Sequence, residues 1–416
     1  MTAPAGRMTA LGLIVAAFTM SLIMRSTFVS IAPVSDVLGA DLGLDPAGMG
    51  LLMAIPVLCF GLFSPVASLL IARGGANLAM TVMFLGVALG IIVRSAGGTA
   101  AAFIGTIILG AAITVGNVVL PVLVRRDMPA KRAGIATGVF IAGANVGSLV
   151  STVTTVPLVE ALGWQLALGA WVLVVAASLA IWVAIIRPRH AFRWAPEPGQ
   201  TPASVLDTPP LEAAPLPAVR ERTWGSFTAI ALLIGFGAQT FSYYGVTAWL
   251  PALLADRLRV DAAEAGGAAG IFQICAIVGS LGAPIVAARF GSFTAVMGIW
   301  ACWLAVPLGL LLAPEGWAIW VMLGGIAQGG GITIVLTLVT EVARSHSHVR
   351  RLSAFVQGGG YAIGATGSIV LGAAFAASGT WTVPLFIVLG STTAYGVLVG
   401  AAALRAGRAS ATSAPR

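Results

Sequence analysis

The sequence predicts an all-α integral membrane protein: twelve transmembrane helices in two pseudo-symmetric six-helix halves. Three observations predict it. Hydrophobic residues make up 58% of the 416 residues, charged residues only 9%, and mean hydropathy is +1.00, whereas a soluble domain carries about 25% charged residues. Twelve apolar runs approach or exceed the roughly 20 residues that a helix needs to cross a bilayer, and none shows the period-two alternation of a barrel strand. A polar, proline-rich stretch parts the first six runs from the last six, and related motifs recur on both sides of it.

In chain order the expected spans are 9–32, 49–71, 77–95, 100–124, 133–156, 166–186, 226–252, 265–287, 293–313, 317–342, 353–376 and 382–404. Residues Met1–Ala10 carry one Arg and lead straight into a full-length span without a small-residue cleavage pattern, so the first helix is expected to be retained. The chain then divides into an N-terminal half (1–186), a linker (187–223) and a C-terminal half (224–416). The linker holds Pro188, Pro196, Pro198, Pro202, Pro209, Pro210, Pro215 and Pro217 among scattered charges. Such a stretch cannot bury a core and is expected to be extended or disordered.

Orientation follows from the basic residues. Of 22 Lys and Arg, eighteen fall on the side of both termini and the linker, and three (Arg94, Arg257 and Arg259) on the other, with Arg25 inside a span. The positive-inside rule makes the first side cytoplasmic, in the inner membrane of a bacterial cell. The net charge of +8 is therefore loop charge that orients the chain and meets anionic lipid heads, as at Arg125, Arg126, Lys131 and Arg132, and implies no nucleic acid. Cys59, Cys275 and Cys302 lie within apolar runs and imply neither disulfide nor metal site.

The halves repeat. Ile71-Ala-Arg-Gly-Gly-Ala-Asn77 follows span two as Ala287-Ala-Arg-Phe-Gly-Ser-Phe293 follows span eight, and Asn145-Val-Gly-Ser-Leu-Val150 in span five has its counterpart around Gly367-Ser368 in span eleven. Two six-span repeats joined by a cytoplasmic linker are the plan of a secondary transporter that binds near the midplane and rocks between two access states.

Four stretches carry a closer resemblance: Met24-Arg-Ser-Thr-Phe-Val-Ser-Ile-Ala-Pro33, Gly50-Leu-Leu-Met-Ala-Ile-Pro-Val-Leu-Cys-Phe-Gly-Leu-Phe-Ser-Pro65, Gly116-Asn-Val-Val-Leu-Pro-Val-Leu-Val-Arg-Arg-Asp127 and Tyr243-Tyr-Gly-Val-Thr-Ala-Trp-Leu-Pro251. Through them the chain resembles a major facilitator superfamily transporter over nearly its whole length, and within it the cyanate/2-nitroimidazole porters. The resemblance implies that superfamily's fold, a central cavity between the halves, and a small planar anion or heterocycle as cargo. Two departures stand out. Ala72 precedes Arg73 where the superfamily's loop carries an acid, and Gly143-Ala-Asn-Val-Gly147 lacks the proline of drug/proton antiporters.

Arg25 is the leading candidate for cargo contact. An Arg near a helix centre costs about 2.5–3.5 kcal/mol on insertion scales, a cost met when the charge faces a cavity, a partner or a ligand. Helical spacing puts Phe18, Ser21, Arg25 and Phe28 on one face, and the planar guanidinium suits planar anions. The alternatives are a side chain snorkelling to the interface or pairing with carbonyls of another helix. Further candidates for substrate binding are Phe60, Asn117, Gln239 with Ser242 and Tyr243, Gln273, and Gln357 with Ser353 and Tyr361; Asn145 is another intramembrane amide. Each amide can equally hold helices together, at about 0.6 kcal/mol. Tyr243, Tyr361 and Phe60 could sandwich a flat molecule or simply pack.

All fourteen acidic residues fall in loops or near span ends, so no carboxylate is expected at mid-membrane to relay a proton, and Glu341 is expected to pair with Arg344 or a neighbour. A buried Arg without a buried acid suits a site neutralised by its cargo. The sequence offers no intramembrane His, Asp or Glu for an enzyme, and His346-Ser-His348 is too sparse for a metal. The glycines of 324–331 are expected to let helices approach, and Gly329–Gly331 to permit bending. The expected partners are a small, mainly anionic molecule and lipids. No cofactor is expected, and the chain is expected to act as a monomer.

Overall fold

A computed structural model describes residues 8–128, 133–194, 226–343 and 346–413. Twelve long helices account for most of them: α1 (Ala10–Val29), α2 (Pro46–Gly74), α3 (Ala76–Arg94), α4 (Thr99–Asp127), α5 (Ala133–Leu162) and α6 (Trp164–Ile186), then α7 (Phe227–Leu258), α8 (Ala262–Phe290), α9 (Ser292–Leu312), α10 (Trp317–Val342), α11 (His346–Ser378) and α12 (Thr382–Ser413). Each expected span coincides with one of them, and each is long and apolar enough to cross a bilayer. No strand occurs among the described residues.

Caps and stops explain where helices begin and end. Thr9 Oγ1 accepts from Gly12 N at 3.1 Å ahead of α1, Ser226 Oγ from Ala229 N at 3.2 Å ahead of α7, and Asp261 Oδ1 from Glu264 N at 2.7 Å ahead of α8. After α1 the chain passes through a 3-10 turn (Ala32–Val34) and a short helix (Ser35–Leu42). The repeat read in the sequence has a structural signature. Gly75 opens α3 and Gly291 opens α9, both at φ 86°, with ψ 159° and 152°. A residue with a Cβ rarely adopts that conformation, so the same turn requires glycine in both halves.

Contacts divide the chain into two compact units, Met1–Leu44 with Ile55–Thr208, and Asp45–Ala54 with Pro209–Arg416. In the first, α1, α3, α4 and α6 enclose an apolar core that includes Met20, Met24, Met83, Phe84, Val87, Leu109 and Trp182. The close α1–α5 crossing depends on Gly143 and Gly147. A Cβ at Gly143 would fall 2.7 Å from the Phe18 carbonyl oxygen, and one at Gly147 would fall 2.9 Å from Leu22 C. The linker begins with a helical turn (Pro188–Ala191) rather than extended chain, because Thr81 Oγ1 donates to the Ala191 carbonyl at 2.7 Å and anchors it on α3. The linker from residue 195 on, with Lys131, Arg132 and Arg344, lies outside the described residues.

In the second unit the glycines act as close-approach points. Cβ atoms at Gly325 and Gly329 of α10 would strike the Phe272 and Ala276 carbonyls of α8, and one at Gly279 would strike Ile326 of α10. α10 runs as one continuous helix through Gly329–Gly331. The N-terminal end of α2, counted in this unit, is fixed at Gly50, whose carbonyl accepts from Ser368 Oγ at 2.9 Å.

Candidate functional site

α1 carries the site's charge, and burial along it has helical periodicity. Ile14, Phe18, Leu22, Arg25 and Phe28 are half-buried, while Leu13, Ala17, Met20, Ser21 and Met24 are buried. Of the face expected to line a pathway, Phe18, Arg25 and Phe28 therefore share one half-exposed stripe. Ser21 does not: it is turned into α5, where Gly143 makes room for it, and its hydroxyl donates to the Phe18 carbonyl at 3.0 Å. Leu22 takes its place on the stripe. The Arg25 guanidinium carbon lies 5.9 Å from the centre of the Phe28 ring, close to the outer limit of a cation–π contact worth roughly 0.5–1 kcal/mol where exposed.

The turn that follows Arg25 is held from two sides. Ser151 Oγ of α5 donates to the Ser26 carbonyl at 3.0 Å, and Arg94 Nη1 of α3 donates to the Thr27 carbonyl at 2.8 Å. Both carbonyls belong to the last turn of α1, and that of Ser26 also accepts from Ser30 N at 3.0 Å. Arg25 thus sits on a turn whose backbone is fixed by neighbouring helices, which favours a defined side-chain position.

Arg94 is a correction to the sequence reading, which counted it with the outward charges at the end of span 77–95 and made Arg25 the lone charge inside a span. It is 1% exposed. The signal was available: Met80, Phe84, Val87, Ile91 and Arg94 recur at spacings of four, three, four and three, and the first four are fully buried.

Asn117 is exposed on α4. Its neighbour Gly116 packs on Met24, with a would-be Cβ 2.7 Å from the Met24 sulfur, so Asn117 and Arg25 each flank one α1–α4 contact point and lie at the same level. Phe60 and Phe28 are both partly buried against the first unit's core. At the other end of α4, Arg126 and Asp127 pair at 2.7 Å, with the carboxylate buried. Arg126 also donates to Asn77 Oδ1 at 2.9 Å, and Met8 N donates to Asp127 at 3.2 Å. The end of α4 is thereby hydrogen-bonded to the start of α3 through Arg126 and Asn77.

The candidates of the second unit separate into two groups. Gln239, Ser242, Tyr243 and Gln273 are buried. Gln239 accepts from Trp303 Nε1 at 2.6 Å and donates towards the Ala327 and Gln328 carbonyls at 3.3 and 3.2 Å, which commits its amide to joining α7, α9 and α10. The Tyr243 ring lies 4.7 Å from that of Tyr244. Gln273 Oε1 and Ser242 Oγ are buried without a partner. Ser353, Gln357 and Tyr361 share a half-buried face of α11, as their spacing predicts, with Tyr361 edge-to-face on Phe236 at 5.3 Å. Asn145 Nδ2 bonds within its own helix, to the Ile141 carbonyl at 2.9 Å. Glu341 accepts from Ser292 Oγ at 2.7 Å.

Comparison with known proteins gives a consistent result. A Major Facilitator Superfamily domain matches residues 9–364. The chain is 28% identical to an uncharacterized transporter, YycB, of Bacillus subtilis, over 92% of this chain and 90% of that one. It is 28% identical to a 2-nitroimidazole transporter of Escherichia coli, over 87% and 88%, and 23% identical to the cyanate transport protein CynX of the same species, over 82% and 84%. Among solved structures, the nucleoside transporter NupG superposes with a TM-score of 0.70 at 13% identity, covering 95% of this chain and 99% of that one.

Proposed function

The chain belongs to the Major Facilitator Superfamily, and from that premise we propose that it moves a small planar anion of cyanate type, or a small heterocycle, across the bacterial inner membrane by alternating access. Arg25 is the anion's partner, and Asn117, at the same level, is a hydrogen-bonding neighbour. One observation carries this reading: a guanidinium on the half-exposed stripe of α1, on a turn fixed by α3 and α5. The transporters of cyanate and 2-nitroimidazole among the relatives support the size and planarity of the cargo.

Residues 1–186 and 224–416 act as the two rocking halves, with both termini on the cytoplasmic side and the monomer as the working form. On α11, Gln357 and Tyr361 are the second half's contribution; Gln239 is left out, because its amide is already engaged. A second reading rests on Phe28 facing Arg25: the cargo is a neutral heterocycle and Arg25 is structural. Uptake of labelled cyanate and of a nitroimidazole into proteoliposomes separates the two. A charge-assisted hydrogen bond contributes about 1.5–3 kcal/mol, so Arg25→Ala is expected to slow cyanate uptake by about 10–100-fold, with Arg25→Lys intermediate. An Arg25→Ala protein that inserts normally and carries cyanate at the wild-type rate overturns the anion reading.

A further inference from the structure

The Arg94 guanidinium is used at one end only. Nη1 donates to the Thr27 carbonyl at 2.8 Å, while Nε and Nη2 are buried with no hydrogen-bond partner. These two nitrogens form the side-on edge of the group, the edge that grips an anion with two parallel N–H bonds. The Ser95 hydroxyl, next in the chain, is likewise buried and unpartnered. The last turn of α1 places a partial negative charge near Nη1, which offsets part of the cation. The rest is buried, with Arg94 only 1% exposed, and an uncompensated charge away from water is costly. The carboxylates that follow α1 are placed elsewhere: Asp41 accepts from Trp164 Nε1 at 2.7 Å, and Asp36 is exposed.

We propose that the Nε/Nη2 edge of Arg94 binds a small monovalent anion, a halide or a planar oxyanion such as nitrate, inside the first unit at the end of α1. The site is separate from Arg25. Thr27 lies two residues on, about 200° around the helix, and Arg94 is 1% exposed where Arg25 is on the half-exposed stripe. The neighbouring backbone is close on two further sides. A Cβ at Gly105 of α4 would fall 2.5 Å from Arg94 Cα, and one at Gly169 of α6 would fall 3.6 Å from Ser95 Cβ. Backbone packed this closely around Arg94 and Ser95 favours an ion of a few atoms over an organic molecule. The bound ion completes the charge balance of the α1–α3 contact, so it stabilises the folded unit.

The test uses the purified full chain in detergent at constant ionic strength, with nitrate or chloride replacing gluconate, which is too large for the site. Wild type and Arg25→Ala are expected to melt about 2–4 °C higher in saturating nitrate, and Arg94→Gln to show no such rise. Crystals of the wild type soaked in bromide give a reading that needs no variant: an anomalous peak within hydrogen-bonding distance of Arg94 Nε and Nη2. The proposal is overturned if Arg94→Gln keeps the rise, if Arg25→Ala alone loses it, or if bromide shows no peak at Arg94. None of these outcomes depends on transport, so the proposed cargo site stands or falls separately.

Discussion

The two units share a backbone plan but not a charge plan. Gly75 and Gly291 open α3 and α9 in the same conformation, and each unit ties the start of that helix to the end of the next. In the first unit the tie is a hydrogen bond from Arg126 to Asn77, with Arg126 paired on its own helix to the buried carboxylate of Asp127. In the second it is a single exposed hydroxyl–carboxylate contact, Ser292 to Glu341. The interiors differ in the same sense. The first unit buries Arg94; among the described residues the second buries no charged side chain and joins its helices through Gln239, Trp303, Trp249 and Ser368 instead. A repeated fold thus tolerates very different polar chemistry where the repeated turns and close helix crossings are kept. The half-buried Arg25 and the buried Arg94 both lie in the first unit.

The largest effect is expected where the Arg126–Asp127 pair is cut. Asp127→Ala leaves the largely buried Arg126 without its carboxylate, and removing one partner of a buried pair costs about 3–5 kcal/mol. Thermal melting in detergent should show a loss of several degrees. A variant as stable as wild type would mean that the buried pair contributes nothing and that the contrast between units is cosmetic.

Next in size is the neutral counterpart. Gln239→Leu keeps the volume but leaves Trp303 Nε1 without its acceptor, at a cost of about 1–3 kcal/mol. Transport should be unchanged once stability is accounted for, because the amide is committed to α9 and α10. If uptake instead disappears from a protein that melts normally, Gln239 contacts cargo and the second unit contributes more to binding than its engaged amide indicates.

The twelve helices and the repeat were readable in the sequence because both rest on hydrophobic length and on glycines at fixed turns, which are local properties. Arg25 was readable for the same reason, as a charge inside an apolar run. Other features required the third dimension. Ser21 and Arg25 are 40° apart on a wheel, yet close approach at Gly143 draws one into α5 and leaves the other half-exposed. Gln239 and Gln273 look alike in sequence, but an indole from α9 engages the first, while the second keeps an unpartnered oxygen. Arg94 lay between these cases, since its periodicity was visible but its place at the end of span 77–95 had it counted with the outward charges.

The smallest effect sharpens the comparison most. Ser292→Ala removes the contact that corresponds in the second unit to the cluster around Asp127, yet Glu341 is exposed and Ser292 only half-buried. Water can solvate the carboxylate when the hydroxyl is lost, so no buried group is left unsatisfied, and exposed polar contacts contribute about 0–1 kcal/mol. The melting temperature should shift by little more than measurement error, against several degrees for Asp127→Ala. Equal losses in the two variants would show that the α3–α4 and α9–α10 ties carry the same load by different chemistry. A tenfold or larger difference in unfolding constant would show that burial, and not the position of the tie in the repeat, sets its strength.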